Sequence, residues 1–357
     1  MYVLERSKAD AFFGDLCRGR IVYALEACAS SPARSAPTPS PASSHQYHLT
    51  RSAEWLTGKH TLGAYRPVEP LKAVVFPPRL SLGGFEAAQP VPEMPEQVVV
   101  GVKNCDLSAL RVHDWVFLEN EPQDPFYAEA RKKTLIVACD CADALDVCFC
   151  SAVREQPYAK AGFDVNLSPV ERGYVVEAGS AKGGALLDSL RSHLAPADAE
   201  ATAERERNRE QMTAKVREQA ERAGLRQGAD FQKAVREAAE SDLWGEFAED
   251  CVECGACNFA CCTCHCFLLA DGRRPAGGDG RTRLWDSCLY RDFARVAGGA
   301  NPRKHRAERL YNRFDKKFVF FPEVRGYYAC DGCGRCVEAC TGRIDIREVL
   351  KRAVDER

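Results

Sequence analysis

Two cysteine runs constrain this 357-residue chain more than anything else in it. The first is Cys251-Val252-Glu253-Cys254-Gly255-Ala256-Cys257-Asn258-Phe259-Ala260-Cys261 and the second is Cys330-Asp331-Gly332-Cys333-Gly334-Arg335-Cys336-Val337-Glu338-Ala339-Cys340. Both read C-x2-C-x2-C-x3-C, the spacing of bacterial-type [4Fe–4S] sites. Three thiolates in a tight turn take three irons of one cube, and the fourth, a helical turn further on, reaches the other cube. The spacing therefore predicts Cys251, Cys254, Cys257 and Cys340 on one cluster, and Cys330, Cys333, Cys336 and Cys261 on a second. Zinc would be expected on paired C-x2-C or Cys/His knuckles instead. Disulfides need an oxidising compartment.

Composition matters for what it excludes. A formal charge of −2 predicts no strong attraction to nucleic acid or to an anionic membrane. Met1 to Asp10 carries charges and no apolar stretch follows, so no signal peptide is expected. No run approaches the ~20 apolar residues that span a bilayer. A cytoplasmic chain with 19 cysteines is expected to spend them on metal.

Along the chain, a short helix and then a strand near 20–25 are predicted first. Residues 30–44 hold Pro32, Pro37, Pro39 and Pro41 among Ser and Ala and read as a flexible loop. Apolar runs at 73–76, 98–100 and 135–137 read as strands, with another at 174–176. Asp106 reads as the N-cap of a helix carrying Leu107, Leu110 and Trp115. This alternation predicts an N-terminal α/β domain over 1–195. Residues 196–240 are dense in alternating charge and read as a helical connector, broken at Gly224 and Gly228 and solvated. Residues 241–357 read as the dicluster domain, with a β-hairpin from 267–270 and 281–286 inserted between its two runs. The basic stretch 303–317 reads as a helix with a solvated face. The fold class is thus α+β, with an N-terminal α/β domain followed by a dicluster domain.

Eleven cysteines stand outside the two runs. Cys105 follows one predicted strand, and Cys141, Cys148 and Cys150 follow another, beyond strand carboxyl ends where open α/β sheets place ligands. Cys264 and Cys266 enter the predicted hairpin and Cys288 leaves it. Pairing Ala270 with Arg281 would set Cys264 nearly opposite Cys288, and strand periodicity gives Cys264 and Cys266 one face. These seven suggest one or two further [4Fe–4S] clusters; the alternative is that several are small buried hydrophobes. Cys17 and Cys28 read as structural, and Cys139 and Cys262 as spares beside ligands. There is no Gly-rich dinucleotide fingerprint after a strand and no P-loop, so no nicotinamide site of its own is expected.

At these residues the chain resembles the family that contains the β subunit of soluble sulfhydrogenases and the A subunit of anaerobic sulfite reductase. The stretches that carry the resemblance begin with Phe76-Pro77-Pro78-Arg79, Gly101-Val102-Lys103-Asn104-Cys105-Asp106-Leu107 and Asp124-Pro125-Phe126-Tyr127. Cys148-Phe149-Cys150, the two runs, Trp285-Asp286-Ser287-Cys288 and Arg295-Val296-Ala297-Gly298-Gly299 complete the series in order, over roughly 70–350. Cys262 and Thr341 stand where such runs usually carry proline. The long insertion between the runs and the flanking helices resemble the α-helical ferredoxin type more than the small β-containing ferredoxin. The family resemblance implies an electron-transfer subunit between a flavin/NAD(P)-binding reductase subunit and a catalytic redox subunit of hydrogenase or sulfite reductase type. A rival expectation keeps the chemistry here: a cluster enzyme that itself reduces a sulfur compound or disulfide.

Overall fold

A computed structural model of the chain describes residues 1–29, 45–85, 91, 93–273 and 277–356. The predicted loop 30–44 lies outside the described residues. In order, the first half runs β1 (Tyr2–Glu5), α1 (Ala9–Cys17), β2 (Ile21–Ala29), β3 (His45–Ser52), β4 (His60–Thr61), α2 (Lys72–Val75), β5 (Arg79–Gly84) and β6 (Gln97–Val102). It continues through α3 (Asn104–Asp114), α4 (Pro125–Lys133), β7 (Thr134–Cys139), β8 (Val165–Val170), β9 (Gly173–Ala178), α5 (Ala181–Ser189) and β10 (Leu194–Pro196). Among the described residues these strands form one mixed sheet in the order β10-β1-β9-β8-β7-β6-β2-β3, with β4 added on β2. Its middle is parallel: β2 pairs with β6, β6 with β7 and β7 with β8 in that sense.

Every residue of β6 and β7 is buried. That is why 98–100 and 135–137 read as unbroken apolar runs: a parallel strand is covered on both faces. Phe12, Phe13 and Leu16 of α1 cover one face, and Leu107, Leu110 and Tyr127 of α3 and α4 cover the other. Each such side chain contributes about 1.5–3 kcal/mol on burial. α4 starts where it does because the Asp124 carboxylate accepts from the Phe126 and Tyr127 amides while Pro125 takes the first helical position.

Several expectations are corrected here. A strand, β1, precedes the first helix and is held between β9 and β10. The run at 73–76 is no strand: it is the single turn of α2 and its end. Val74, Val75 and Phe76 pack there against Phe117 and Tyr127, and a short apolar run carries no period that separates the two forms. Asp106 does not cap α3, which begins two residues earlier; its carboxylate instead accepts from the Leu71 amide inside the protein.

The second half contains α6 (Ala199–Arg222), α7 (Phe231–Glu237), α8 (Leu243–Glu249), α9 (Ala256–Phe259), β11 (Phe267–Arg273) and β12 (Asp279–Trp285). After these come α10 (Arg306–Phe314), α11 (Phe321–Arg325), α12 (Arg335–Glu338) and α13 (Ile346–Asp355). Gly224 and Gly228 separate α6 from α7, as the sequence predicts. But α6 is not solvated all round. It buries Ala201, Val216 and Ala220 and lays Arg209 on Asp140, 2.7 Å away, and on Glu177, which binds it to the sheet. The helical core unites Phe231, Val235, Trp244, Phe314, Phe318, Val349 and Leu350 with Phe149 and Val153 from the first half.

The hairpin forms, with Asp271 rather than Ala270 opposite Arg281. Its tip at 274–276 lies outside the described residues. Its other edge is completed by β5 from the first half, giving the order β11-β12-β5. The architecture is α+β: a sheet domain followed by a mainly helical domain around the two cysteine runs. Among the described residues no helix is long and apolar enough to cross a membrane.

Candidate iron–sulfur sites

The two cysteine runs follow one backbone path. Glu253 and Gly332 hold φ of 58° and 63°, and two residues later Gly255 and Gly334 hold 74° and 71°. Left-handed residues at this spacing turn successive N–H groups to the inside of the loop, where they cradle an anion. Burial raises the Cys251 and Cys330 thiols, and an amide hydrogen bond to each sulfur, from Glu253 and Gly332 respectively, partly offsets it. Glu253 takes this conformation without being glycine, and Arg309 grips its carboxylate at 2.9 Å. α9 and α12 follow directly and carry Cys257 and Cys336.

Cys251, Cys254, Cys257 and Cys340 line one pocket, so the fourth cysteine of the second run stands beside the first three of the first run. Cys254 is exposed, whereas burial pushes the Cys257 thiol up to about 12. The second set is deeper. Cys330 feels the charges of Cys336 and Cys261, and Cys336 those of Cys261 and Cys333. Among the described residues no three His, Cys, Asp or Glu side chains converge enough to share one metal ion. The four thiols spread round the first cavity fit a cube whose irons take one thiolate each, and the inward amides fit its negative charge.

Cys105, Cys141, Cys148 and Cys150 line a further pocket beyond the ends of β6 and β7, with Cys333 on its wall. The Cys148–Cys150 loop is docked on the second run: the Phe149 amide donates to the Gly332 carbonyl at 2.8 Å. A Cβ at Gly332 would lie 2.5 Å from the Cys150 backbone, so only glycine allows the approach. Cys336 lines the first pocket and Cys333 this one, so the second run touches all three places.

Cys264, Cys266 and Cys288 share a cavity of about 340 Å³ with His265, Trp115, Phe320, Lys316 and Lys317. Continuing the hairpin register sets Cys264 opposite Cys288. The Cys288 sulfur accepts from the Asn258 amide at 3.1 Å, and no fourth cysteine lines this cavity. Burial pushes the His265 imidazole down to about 4, so it stands there neutral. Cys17 is packed in the sheet core and Cys28 is exposed. Cys262 lies 3.8 Å from the Cys333 sulfur and 3.5 Å from the Asp331 carboxylate. Hydrogen bonds from Cys262 and Cys264 hold Cys261 well below the ordinary thiol range, while Cys262 itself is held well above it. Of those two neighbours, Cys261 is therefore the thiolate.

The basic stretch near 303–317 is a correction. Arg309, Arg313 and Lys317 lie at i, i+4 and i+8, only 1%, 5% and 5% exposed, and point inward, Arg309 onto Glu253 and the other two onto the cysteines. Arg313 donates to Asn258 Oδ1 at 2.9 Å and to the Cys257 carbonyl. Lys317 Nζ donates to the Cys261 sulfur at 3.3 Å, to Thr263 Oγ1 at 2.7 Å and to the Ala329 carbonyl at 3.0 Å. Burial works against the Lys317 charge, but the pull of the neighbouring cysteines, Cys261 first, outweighs it and holds the ammonium well above its usual range. Arg335 forms a buried pair with Asp106 at 2.7 Å. Arg66 donates to the Cys333 carbonyl at 2.6 Å, and Lys72 to the carbonyls of Asn258 and Cys264. Charge removed from water must be paired, and thiolates gathered in one interior draw cations with them.

With the geometry established, comparison with known proteins supplies the family. Residues 250–344 match the 4Fe-4S dicluster domain. Over 253 residues the chain is 32% identical to the sulfhydrogenase 2 subunit beta of Pyrococcus furiosus, covering 71% of this chain and 72% of that protein.

Proposed function

We propose a relay role for this chain, which belongs to the sulfhydrogenase β-subunit family and is an iron–sulfur electron-transfer subunit. In this reading it carries electrons in the cytoplasm between a flavin/NAD(P)-binding reductase subunit and a catalytic redox subunit of hydrogenase or sulfite reductase type. Cys251, Cys254, Cys257 and Cys340 hold one [4Fe–4S] cluster; Cys330, Cys333, Cys336 and Cys261 hold a second. Cys105, Cys141, Cys148 and Cys150 hold a third. Bound there, each cluster supplies a one-electron redox centre. The chain's own work is to fix the thiolates, exclude water, and surround the buried charge with Arg66, Lys72, Arg313, Lys317 and Arg335.

The observation that carries the reading is the placement of the second run, whose Cys336 and Cys340 line the Cys251 pocket and whose Cys333 lines the pocket at the strand ends. It sets the Cys330 site between the other two. The first pocket opens to solvent at Cys254 and offers an entry or exit for electrons. The Cys264, Cys266 and Cys288 cavity is the one feature that favours the rival, a cluster enzyme acting on a sulfur compound, because it joins thiols and cations in a space open enough for a ligand.

Three cubes predict about twelve iron atoms and twelve sulfides per chain. Cys340→Ala should perturb the cluster of Cys251, Cys254 and Cys257, although it lies in the other run. Spectroscopy that confines the damage to the cluster of Cys330, Cys333 and Cys336 would refute the shared ligation. Turnover of a sulfur compound by the isolated subunit with an artificial donor would replace the relay by the enzyme.

A further inference from the structure

The cations around the thiols are not equivalent. Arg335 is matched by Asp106 and Arg66 by Glu338, so each brings little net charge. Lys72 is held by two carbonyls. Arg313 lines the Cys251 pocket, bonds the Cys257 carbonyl and also reaches the Cys336 sulfur, so it stands between the two sites. Lys317 is set apart by touching the second of these two sites alone. Among the described residues no carboxylate pairs with it, and its ammonium donates directly to a cysteine sulfur, that of Cys261. Its other two partners, Thr263 and Ala329, flank the same site: Ala329 precedes Cys330, and Thr263 Oγ1 lies 3.2 Å from the Cys261 sulfur.

Reduction adds one negative charge to an iron–sulfur centre. A fixed positive charge and a hydrogen bond at a ligand sulfur stabilise the reduced form more than the oxidised one, and the effect is large where water is excluded. The Cys251 site is wetter: Cys254 is exposed, and the Glu253 carboxylate beside it is paired with Arg309. We propose that Lys317 is a positioning residue that raises the reduction potential of the centre held by Cys261, Cys330, Cys333 and Cys336, making this middle centre the one an electron occupies first. The inference rests on the ligand assignment above, and the experiment separates the two.

The test is an anaerobic redox titration of the fully loaded chain, followed by electron paramagnetic resonance, with iron counted beforehand. Lys317→Met should leave the iron content unchanged. It should shift the oxidised-to-reduced ratio of one centre, the first reduced in the wild type, at least tenfold at fixed potential toward the oxidised form. That equals about 59 mV for a one-electron couple. Lys317→Arg should restore most of it, and the Cys251 centre should move less than threefold. Should Lys317→Met fail to retain iron, Lys317→Gln carries the same expectation, since its amide still donates but has no charge. An unmoved midpoint in a loaded neutral variant, an equal shift of both centres, or a wild type in which the sensitive centre is reduced last would each overturn the inference. Absence of clusters from the wild type would instead overturn the ligand assignment.

Discussion

Arg335 and Asp106 show at residue scale what the thiols demand of their surroundings. The pair is buried from both sides, 2% exposed on each, and its guanidinium also donates to the carbonyls of Pro67, Val68 and Glu69. Removing one partner strands a charge, so Arg335→Met should cost about 3–5 kcal/mol of stability by denaturant unfolding, more than the double variant with Asp106→Leu. His113 has the opposite problem. Burial pushes its imidazole down to about 3, and its Nε2 lies 2.8 Å from the Cys262 carbonyl, so it is a neutral donor. The unfolded chain takes up a proton below about pH 6.5, which the folded chain refuses. This contribution is therefore complete above 6.5 and is lost as pH falls from there toward 3. Between pH 6.5 and 5.5 the native protein should lose up to ~1.4 kcal/mol that His113→Gln retains. The cysteines were legible in the sequence because iron–sulfur ligation imposes spacing on neighbouring residues. Arg309, Arg313 and Lys317 were visible too, yet a basic stripe at helical spacing has the same appearance whether it faces water or thiolates. Only the burial of these three side chains decides between them.

At the scale of elements, the paired left-handed residues of each run account for both the cradle and the docking. Gly334 holds φ of 71°, and a Cβ there would lie 2.3 Å from the Val147 carbonyl. Gly334→Ala should therefore displace the Cys148–Cys150 loop as well as its own run. The expected outcome is loss of iron from more than one site, where Gly184→Ala, with nothing within 4 Å, should keep its full iron. Elements with a clear local signal were readable: β6 and β7 as β-branched apolar runs, the hairpin, and the glycine break between α6 and α7. The turn of α2 was not, because four apolar residues before two prolines fit either form. Nor was β5, whose partner β12 lies about 200 residues away and carries no local trace of the pairing.

For the whole molecule, the consequence is that the sheet and the helical domain meet at the second cysteine run. Cys340 and Cys336 line the pocket of the first run, and Cys333 faces the thiols at the strand ends. This convergence was only half legible. Strand-end placement of Cys105 and Cys141 followed from α/β topology, but that the Cys148–Cys150 loop would rest on Gly332 depends on contacts between distant segments. The central claim is that electrons cross the chain through these sites in series. It is tested most directly in the complex as it co-purifies, by comparing partner-coupled turnover of the wild type with that of Cys148→Ala. The account predicts that the variant loses about four irons and stops partner-coupled turnover, while the two remaining clusters stay reducible by dithionite. Undiminished iron with undiminished turnover in Cys148→Ala would contradict it.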